Sequence, residues 1–256
     1  GAWRVRNSMN KVARCLGITC TADIGLLAIS YTCIEGTDTY TQSISNPTTG
    51  VNTHKLMQLE LFMKEFPDKV STYSVKHIHE VLDEIQKLPA NYKAWNLGLA
   101  SALACGAFTF LLGGGPVEMC CAFLGAGVGN FVRKKMLGHS ISLLANVAVS
   151  VAASCLVYVL TILLAQSLLS VSAVHQAGYI CAMLFVIPGF PLITGGIDLA
   201  KLDLRSGLER VSYALLIILT ATMTGWATAA ICQFQPADFE PLQLQKWTLL
   251  CFRLIT

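Results

Sequence analysis

Charged side chains are scarce in this sequence. Asp, Glu, Lys and Arg make up 13% of the 256 residues, about half the share of an ordinary soluble domain. The formal net charge is only +3 and the basic residues are scattered. No stripe of the kind that neutralises a phosphate backbone is present, which excludes nucleic acid as a partner. Catalytic signatures are missing too: there is no Gly-x-Ser-x-Gly, and no Ser/His/Asp or Cys/His set with nucleophilic spacing. The sequence gives no sign of an enzyme. Metal-ligand spacing is also lacking, so neither a metal nor any other cofactor is expected. There is no Cys-x-x-Cys, and His77 and His79, at i,i+2, do not share a helix face. Most of the ten cysteines lie in apolar runs (Cys105, Cys120, Cys121, Cys155, Cys181, Cys232), where a thiol behaves as a small hydrophobe; free buried thiols are expected rather than a disulfide framework. The chain starts at Gly1 with neither a methionine nor a signal-peptide core, and is read as a fragment or a processed chain.

What the sequence does have is apolar length. It is 54% hydrophobic with a mean hydropathy of +0.58, which points to an integral membrane protein in a lipid bilayer. The fold class read from it is an α-helical integral membrane protein: five transmembrane helices preceded by a small cytoplasmic α+β domain.

The α+β domain covers residues 1–90. Val5, Met9, Val12, Ala13 and Leu16 form the stripe of an amphipathic helix closed by Gly17. Residues 27–34 and 39–45 read as strands around the turn Glu35-Gly36-Thr37-Asp38, inside a β-rich stretch that begins at Ile18. After a loop at 46–50, residues 51–66 and 74–88 carry helical periodicity ending at Pro67 and Pro89.

Residues 91–235 form the membrane domain. Five apolar runs, at about 94–112, 117–132, 142–165, 179–199 and 212–231, have lengths that suit bilayer spans. Basic residues sit before the first run, at Arg133-Lys134-Lys135 after the second, and at Lys201, Arg205 and Arg210 after the fourth. The intervening loops at 113–116 and 167–176 have none. The positive-inside rule therefore places the N-terminal domain and the second and fourth loops in the cytoplasm. Residues 236–256 read as a linker followed by an interfacial helix anchored by Trp247, or by the opening of a second membrane half.

The fourth run is interrupted by Pro188-Gly189-Phe190-Pro191. Each proline removes a backbone donor, and the freed carbonyls need protein or a water-filled cavity around them. The interruption reads either as a discontinuous helix that exposes a solute site or as a packed structural kink. Pro191 suits the first position of the second half-helix, whose free amides attract a carboxylate. Asp198 lies deep enough to need a partner or a cavity, and Lys201, at i,i+3, is spaced to pair with it on one helix face. Asp198 is a candidate coupling or gating acid, while the charges from Lys201 to Arg210 read as a solvated loop that fixes topology. Asn146, Ser150 and Ser154 share one face of the third run, as a pathway lining or an interhelical hydrogen-bond seam. Gly125 and Gly129, with Ala100, Ala104, Ala122 and Ala126, supply small-residue helix contacts. His175 reads as plain loop.

These residues resemble the bacterial threonine/serine exporter-like family, which includes dicarboxylate (succinate) exporter subunits. The resemblance rests on Gly1-Ala-Trp-Arg-Val-Arg6 leading to Ala13-Arg-Cys-Leu-Gly17, on Tyr92-Lys-Ala-Trp95, on Leu111-Leu-Gly-Gly114, and above all on Ile187-Pro-Gly-Phe-Pro-Leu-Ile-Thr194, Asp198 and Ser206-Gly-Leu-Glu-Arg210. It spans essentially the whole chain. It implies a bacterial inner-membrane exporter of small hydrophilic metabolites, driven by the proton gradient. It also implies an oligomer and a homologous second membrane half, fused or separate. Relative to the family, the chain starts late and stops early. The expected solute carries a carboxylate: threonine, serine or a C4-dicarboxylate such as succinate. Pro188, Gly189, Pro191, Thr194 and Asn146 are its candidate binding residues, and Asp198 is the proton-coupling or gating group. The alternative is a membrane scaffold or sensory protein whose soluble domain binds a ligand or partner.

Overall fold

The structure, a computed structural model, describes residues 1–45, 51–89, 92–137, 141–169 and 178–234. His175 and the tail beyond residue 235 lie outside them. In order, the elements are α1 (Ala2–Cys15), β1 (Thr19–Ile24), β2 (Ala28–Glu35), β3 (Asp38–Ser45), α2 (Thr53–Lys69), α3 (Val75–Lys87), α4 (Ala94–Leu111), α5 (Pro116–Met136), α6 (Leu143–Leu169), α7 (Tyr179–Ala182), a 3₁₀ turn (Leu184–Val186), α8 (Gly189–Ala200) and α9 (Leu204–Ile231). The described residues form two compact units: one within Gly1–Asn91 and Gly189–Ala214, the other within Tyr92–Pro188 and the rest of α9 from Leu215.

In the first unit, α1 ends where Gly17 takes φ +73°, a left-handed stop that glycine reaches without Cβ strain. The sheet is an antiparallel β1-β2-β3 meander. The turn expected at 35–38 is present, with Gly36 at φ +58° as a two-residue hairpin requires. The strand β1 lies in the β-rich stretch that begins at Ile18, and makes of the hairpin-or-small-sheet reading a three-stranded sheet; its six residues (TCTADI) alternate in burial. The outer face of the sheet carries a ladder of hydroxyl pairs, Ser30–Ser43 and Thr32–Thr41, each at 3.0 Å.

Asn52 caps α2 by accepting from the His54 and Lys55 amides, and Ser74 caps α3 through the His77 amide. The expectation that α2 stops at Pro67 is corrected, because the helix runs through it to Lys69. Pro67 has no N–H to give the carbonyl of Met63, four residues back. Lys11 supplies that donor instead, Nζ to Met63 O at 2.9 Å. Phe66 is fully buried, and Ala13 of α1 and Ile24 of β1 are buried as well.

In the second unit, α4, α5 and α6 pack through small residues. Gly98, Ala102, Cys105 and Gly106 of α4 are buried, as are Ala122, Gly125, Ala126 and Gly129 of α5. Gly125 lies against the Ser154 carbonyl and Gly129 against Ser154 and Phe185, at distances where a Cβ would clash. The α5 contacts expected from the sequence are thus present. On α4, Ala100 and Ala104 are exposed; the packed face is shifted to the neighbouring residues. Outward-facing residues of α4, α6 and α9 are large and apolar, Leu160 at 65% and Trp226 at 70% exposure among them. Such a surface suits lipid.

Three helices, α4, α6 and α9, are long and apolar enough to cross a membrane; treating the broken stretch Tyr179–Val186 and Gly189–Ala200 as a span gives four. The remaining expected span, the second run, is α5; it has a suitable length but carries Glu118, Arg133, Lys134 and Lys135, which dilute its hydropathy.

Candidate functional site at the corner between α8 and α9

The break in the fourth apolar run is shorter than expected. Only Ile187 and Pro188 separate the 3₁₀ turn from α8, whose first residue is Gly189. Pro191 is therefore the third residue of α8 and not its first. It is tolerated there because the amides of a first helical turn have no intrahelical acceptor. Thr194 is buried, and its hydroxyl donates back to the Phe190 carbonyl at 2.8 Å.

The helix α8 closes on a tight corner. The amides of Lys201 and Leu202 return to Ile197 and Leu199, and that of Asp203 to Asp198 at 2.9 Å. Leu202 takes φ +60°. From Leu204 the chain is already helical, eight residues before the expected start of the fifth run. This corrects the solvated-loop reading of Lys201 to Arg210: Arg205, Ser206, Glu209 and Arg210 belong to the first turns of α9. The two helices approach closely because Gly195 faces Val211, Arg210 and the Gly207 carbonyl, while Gly207 faces Leu199.

Asp198 sits inside this corner with 0% exposure. Its Oδ2 accepts from the Ala2 amide at 3.1 Å and the Ser206 hydroxyl at 3.2 Å. Arg210 Nε lies 3.3 Å from the same oxygen and donates to Ser206 Oγ at 3.1 Å. Among the described residues, Asp198 Oδ1 is buried without a hydrogen-bond partner. A buried carboxylate is tolerated only with such a counter-ion and donors. The partner is Arg210 and not Lys201, as the sequence reading had it. The helix α8 ends at Ala200, so Lys201 has left the helical face and its ammonium lies 3.4 Å from the centre of the Trp3 ring.

A ring of further contacts ties the corner to the N-terminal segment of the same unit. Arg6 pairs with Asp203 at 3.0 Å, Arg205 pairs with Asp23, and Glu209 accepts the Leu26 amide at 2.6 Å. Side chains up to about two hundred positions apart in sequence thus meet here. Nothing local in the sequence announces this; the sole hint is the excess of both signs of charge in residues 198–210.

A family model described as "Putative threonine/serine exporter" matches residues 1–232, and so includes every group just described. The chain belongs to the threonine/serine exporter family. Two curated relatives are named "Probable succinate transporter subunit YjjP". That of Klebsiella aerogenes is 25% identical over 224 residues, covering 86% of this chain and 83% of the relative. That of Escherichia coli K12 is 24% identical over 217 residues, covering 84% and 81%. No solved structure matches. Family membership and the apolar helices together make this exporter-family chain a membrane protein, and they support a transporter.

The remaining sequence-derived candidates lie in the second unit. Asn146, Ser150 and Ser154 are all buried on α6. Asn146 Nδ2 donates to the Arg133 carbonyl at 3.3 Å and Ser154 to the Ala182 carbonyl at 2.8 Å, as in an interhelical seam. Asn146 Oδ1 has no hydrogen-bond partner among the described residues. His77 meets the ring of Tyr73 at 4.9 Å, and no group of three His, Cys, Asp or Glu converges among the described residues.

Proposed function

We propose that this chain is one membrane half of a transporter that exports a small carboxylate-bearing solute, with threonine, serine and C4-dicarboxylates such as succinate as the candidates. The observation that carries the reading is Asp198, a fully buried carboxylate with one oxygen tied to Arg210, Ser206 and the Ala2 amide and the other buried without a hydrogen-bond partner among the described residues. Ionisable groups in apolar protein are costly, and their usual reason is a pathway or a proton relay. Asp198 is the proposed proton-coupling or gating group.

Gly189, Pro191 and Thr194 of α8 are proposed as solute-binding residues, as are, each in its own unit, Pro188 and Asn146, whose Oδ1 is buried without a hydrogen-bond partner among the described residues. Five spans, a cytoplasmic N-terminal segment and a bacterial inner-membrane location complete the proposal. The basic loops support that orientation. The word "subunit" in the relatives' names supports a second membrane half, within one polypeptide or as a separate protein, and an oligomeric assembly.

The test is efflux of radiolabelled succinate and threonine from proteoliposomes holding the full chain with its second membrane half. Efflux of one of them above that of empty liposomes is expected; efflux of neither, nor of serine, contradicts the reading.

A further inference from the structure

The sequence reading gives Arg210 no part in binding the solute, only one in fixing topology, yet its surroundings are those of a receptor. The head group belongs to a side chain with 17% exposure. Its stem packs beside Gly195, where a Cβ would come within 3.1 Å of Arg210 Cβ, so the guanidinium is held against α8. On the inner side, Nε is engaged by Ser206 Oγ and Asp198 Oδ2. Neither terminal nitrogen donates a hydrogen bond to a described residue. A guanidinium carries five N–H donors in a planar fork. With Nε fixed, four donors remain on a plane that Asp198 and Ser206 orient. Arginine is suited to a carboxylate for this reason, because the two parallel N–H groups of the fork match the two oxygens.

We propose that Arg210 is the binding residue for the solute's carboxylate, with Ser206 and Asp198 as positioning residues that hold the fork. This rests on the transport reading above and adds to it the atoms that recognise the solute class. Selection works through desolvation as well as attraction. A carboxylate satisfies the fork at two points and brings the opposite charge, whereas a carboxamide offers one acceptor oxygen and no charge. Bidentate, charge-assisted pairing in a partly buried setting corresponds to about a tenfold to hundredfold preference for acid over amide.

The experiment compares each acid with its own amide in the reconstituted full chain and its second half: succinate against the diamide succinamide and threonine against threoninamide, read as the ratio of KM values. Three proteins are measured: the native sequence, Arg210→Lys, and the double variant Asp198→Asn with Arg210→Gln. The lysine variant keeps the charge without the fork, and the double variant removes the pair without stranding one charge in the interior. The expected result is a KM preference for the acid in the native protein that falls at least fivefold in Arg210→Lys and to near parity in the double variant. A merely structural Arg210 would alter the amount of folded protein and leave the acid-to-amide ratio unchanged. Native-like ratios in both variants overturn the assignment while leaving the transport reading intact. Absence of transport by the native protein overturns the transport reading and this assignment together.

Discussion

Asp198 on α8 and Arg210 on α9 face each other across the corner of one helical hairpin, Oδ2 to Nε at 3.3 Å, with Ser206 bridging them. The pairing depends on α9 starting at Leu204, which puts Ser206 and Arg210 one turn apart on a single face. Removing one partner of a buried pair strands the other charge and costs about 3–5 kcal/mol. Arg210→Ala is therefore expected to lower the thermal unfolding midpoint of the solubilised protein sharply. Adding Asp198→Asn to it should recover part of the loss, and additive effects of the two substitutions would contradict the pairing.

The close approach of α8 and α9 makes the glycines there unequal. A Cβ at Gly195 meets Val211 at 2.9 Å and the Gly207 carbonyl at 3.2 Å, and one at Gly207 meets Leu199 at 2.6 Å, whereas Gly196 has nothing within 4 Å. Gly195→Ala and Gly207→Ala should each reduce the yield of folded protein and weaken solute efflux, and Gly196→Ala should match the native sequence. Equal tolerance of all three, measured by size-exclusion profile and efflux, would show that the helices do not pack as described.

The ring of charges outside the corner offers a milder test. Arg6 and Asp203 are partly exposed, at 34% and 11%, so their coupling should be about 0.5–1 kcal/mol. In a double-mutant cycle, Arg6→Asp with Asp203→Arg is expected to be more stable than either single reversal. The coupling should shrink as salt is raised.

Pro67 and Lys11 are coupled through the Met63 carbonyl. With Pro67 present, Lys11→Met leaves the Met63 carbonyl without its donor, a loss of about 1 kcal/mol. In a Pro67→Ala background the helix supplies its own amide and the same substitution should cost less. Thermal unfolding of the four proteins reads the difference.

Cys20 and Cys33 are register partners across β1 and β2. The amide of Gly25 donates to the Ala28 carbonyl at 2.9 Å, which makes Gly25 and Ala28 a hydrogen-bonded pair. Counting back in alternation places Cys20 and Cys33 in a non-hydrogen-bonded, closer pair. Both are free thiols. Burial first, and then the neighbouring Cys33 thiol, pushes the Cys20 thiol above its usual range. A raised value means less thiolate at a given pH. Cys20 should thus alkylate more slowly than an exposed cysteine near pH 8, and catch up as pH rises, as mass spectrometry of iodoacetamide-treated protein would show. Copper–phenanthroline oxidation should join the two cysteines; a product linking either of them to a different cysteine would refute the register.

Much of this was readable in advance. The stripe on α1, the turn at 35–38 and the proline interruption depend on local chemistry, and the sequence carries that chemistry directly. The errors share one cause. Residues 201–210 are polar and read as a solvated loop, but Arg205, Glu209 and Arg210 are also good helix formers, and their partners Asp23, Leu26 and Asp198 come from distant parts of the chain or from across a turn. Helical spacing offers Lys201 to Asp198, but α8 ends one residue too soon, at Ala200, for that spacing to apply. On α4, alanines at i,i+4 were chosen as the contact, while the packed face is set by Gly98 and Ala102, where the neighbouring helix can come closest.

The most direct test of the account is efflux by Asp198→Asn in proteoliposomes containing the full chain with its second membrane half, measured with and without an imposed proton gradient. Asparagine preserves the shape and a hydrogen-bond acceptor and removes the charge and the titratable oxygen. Efflux that falls at least tenfold and no longer responds to the gradient is the predicted result. Undiminished efflux that still follows the proton gradient would contradict the role assigned to Asp198.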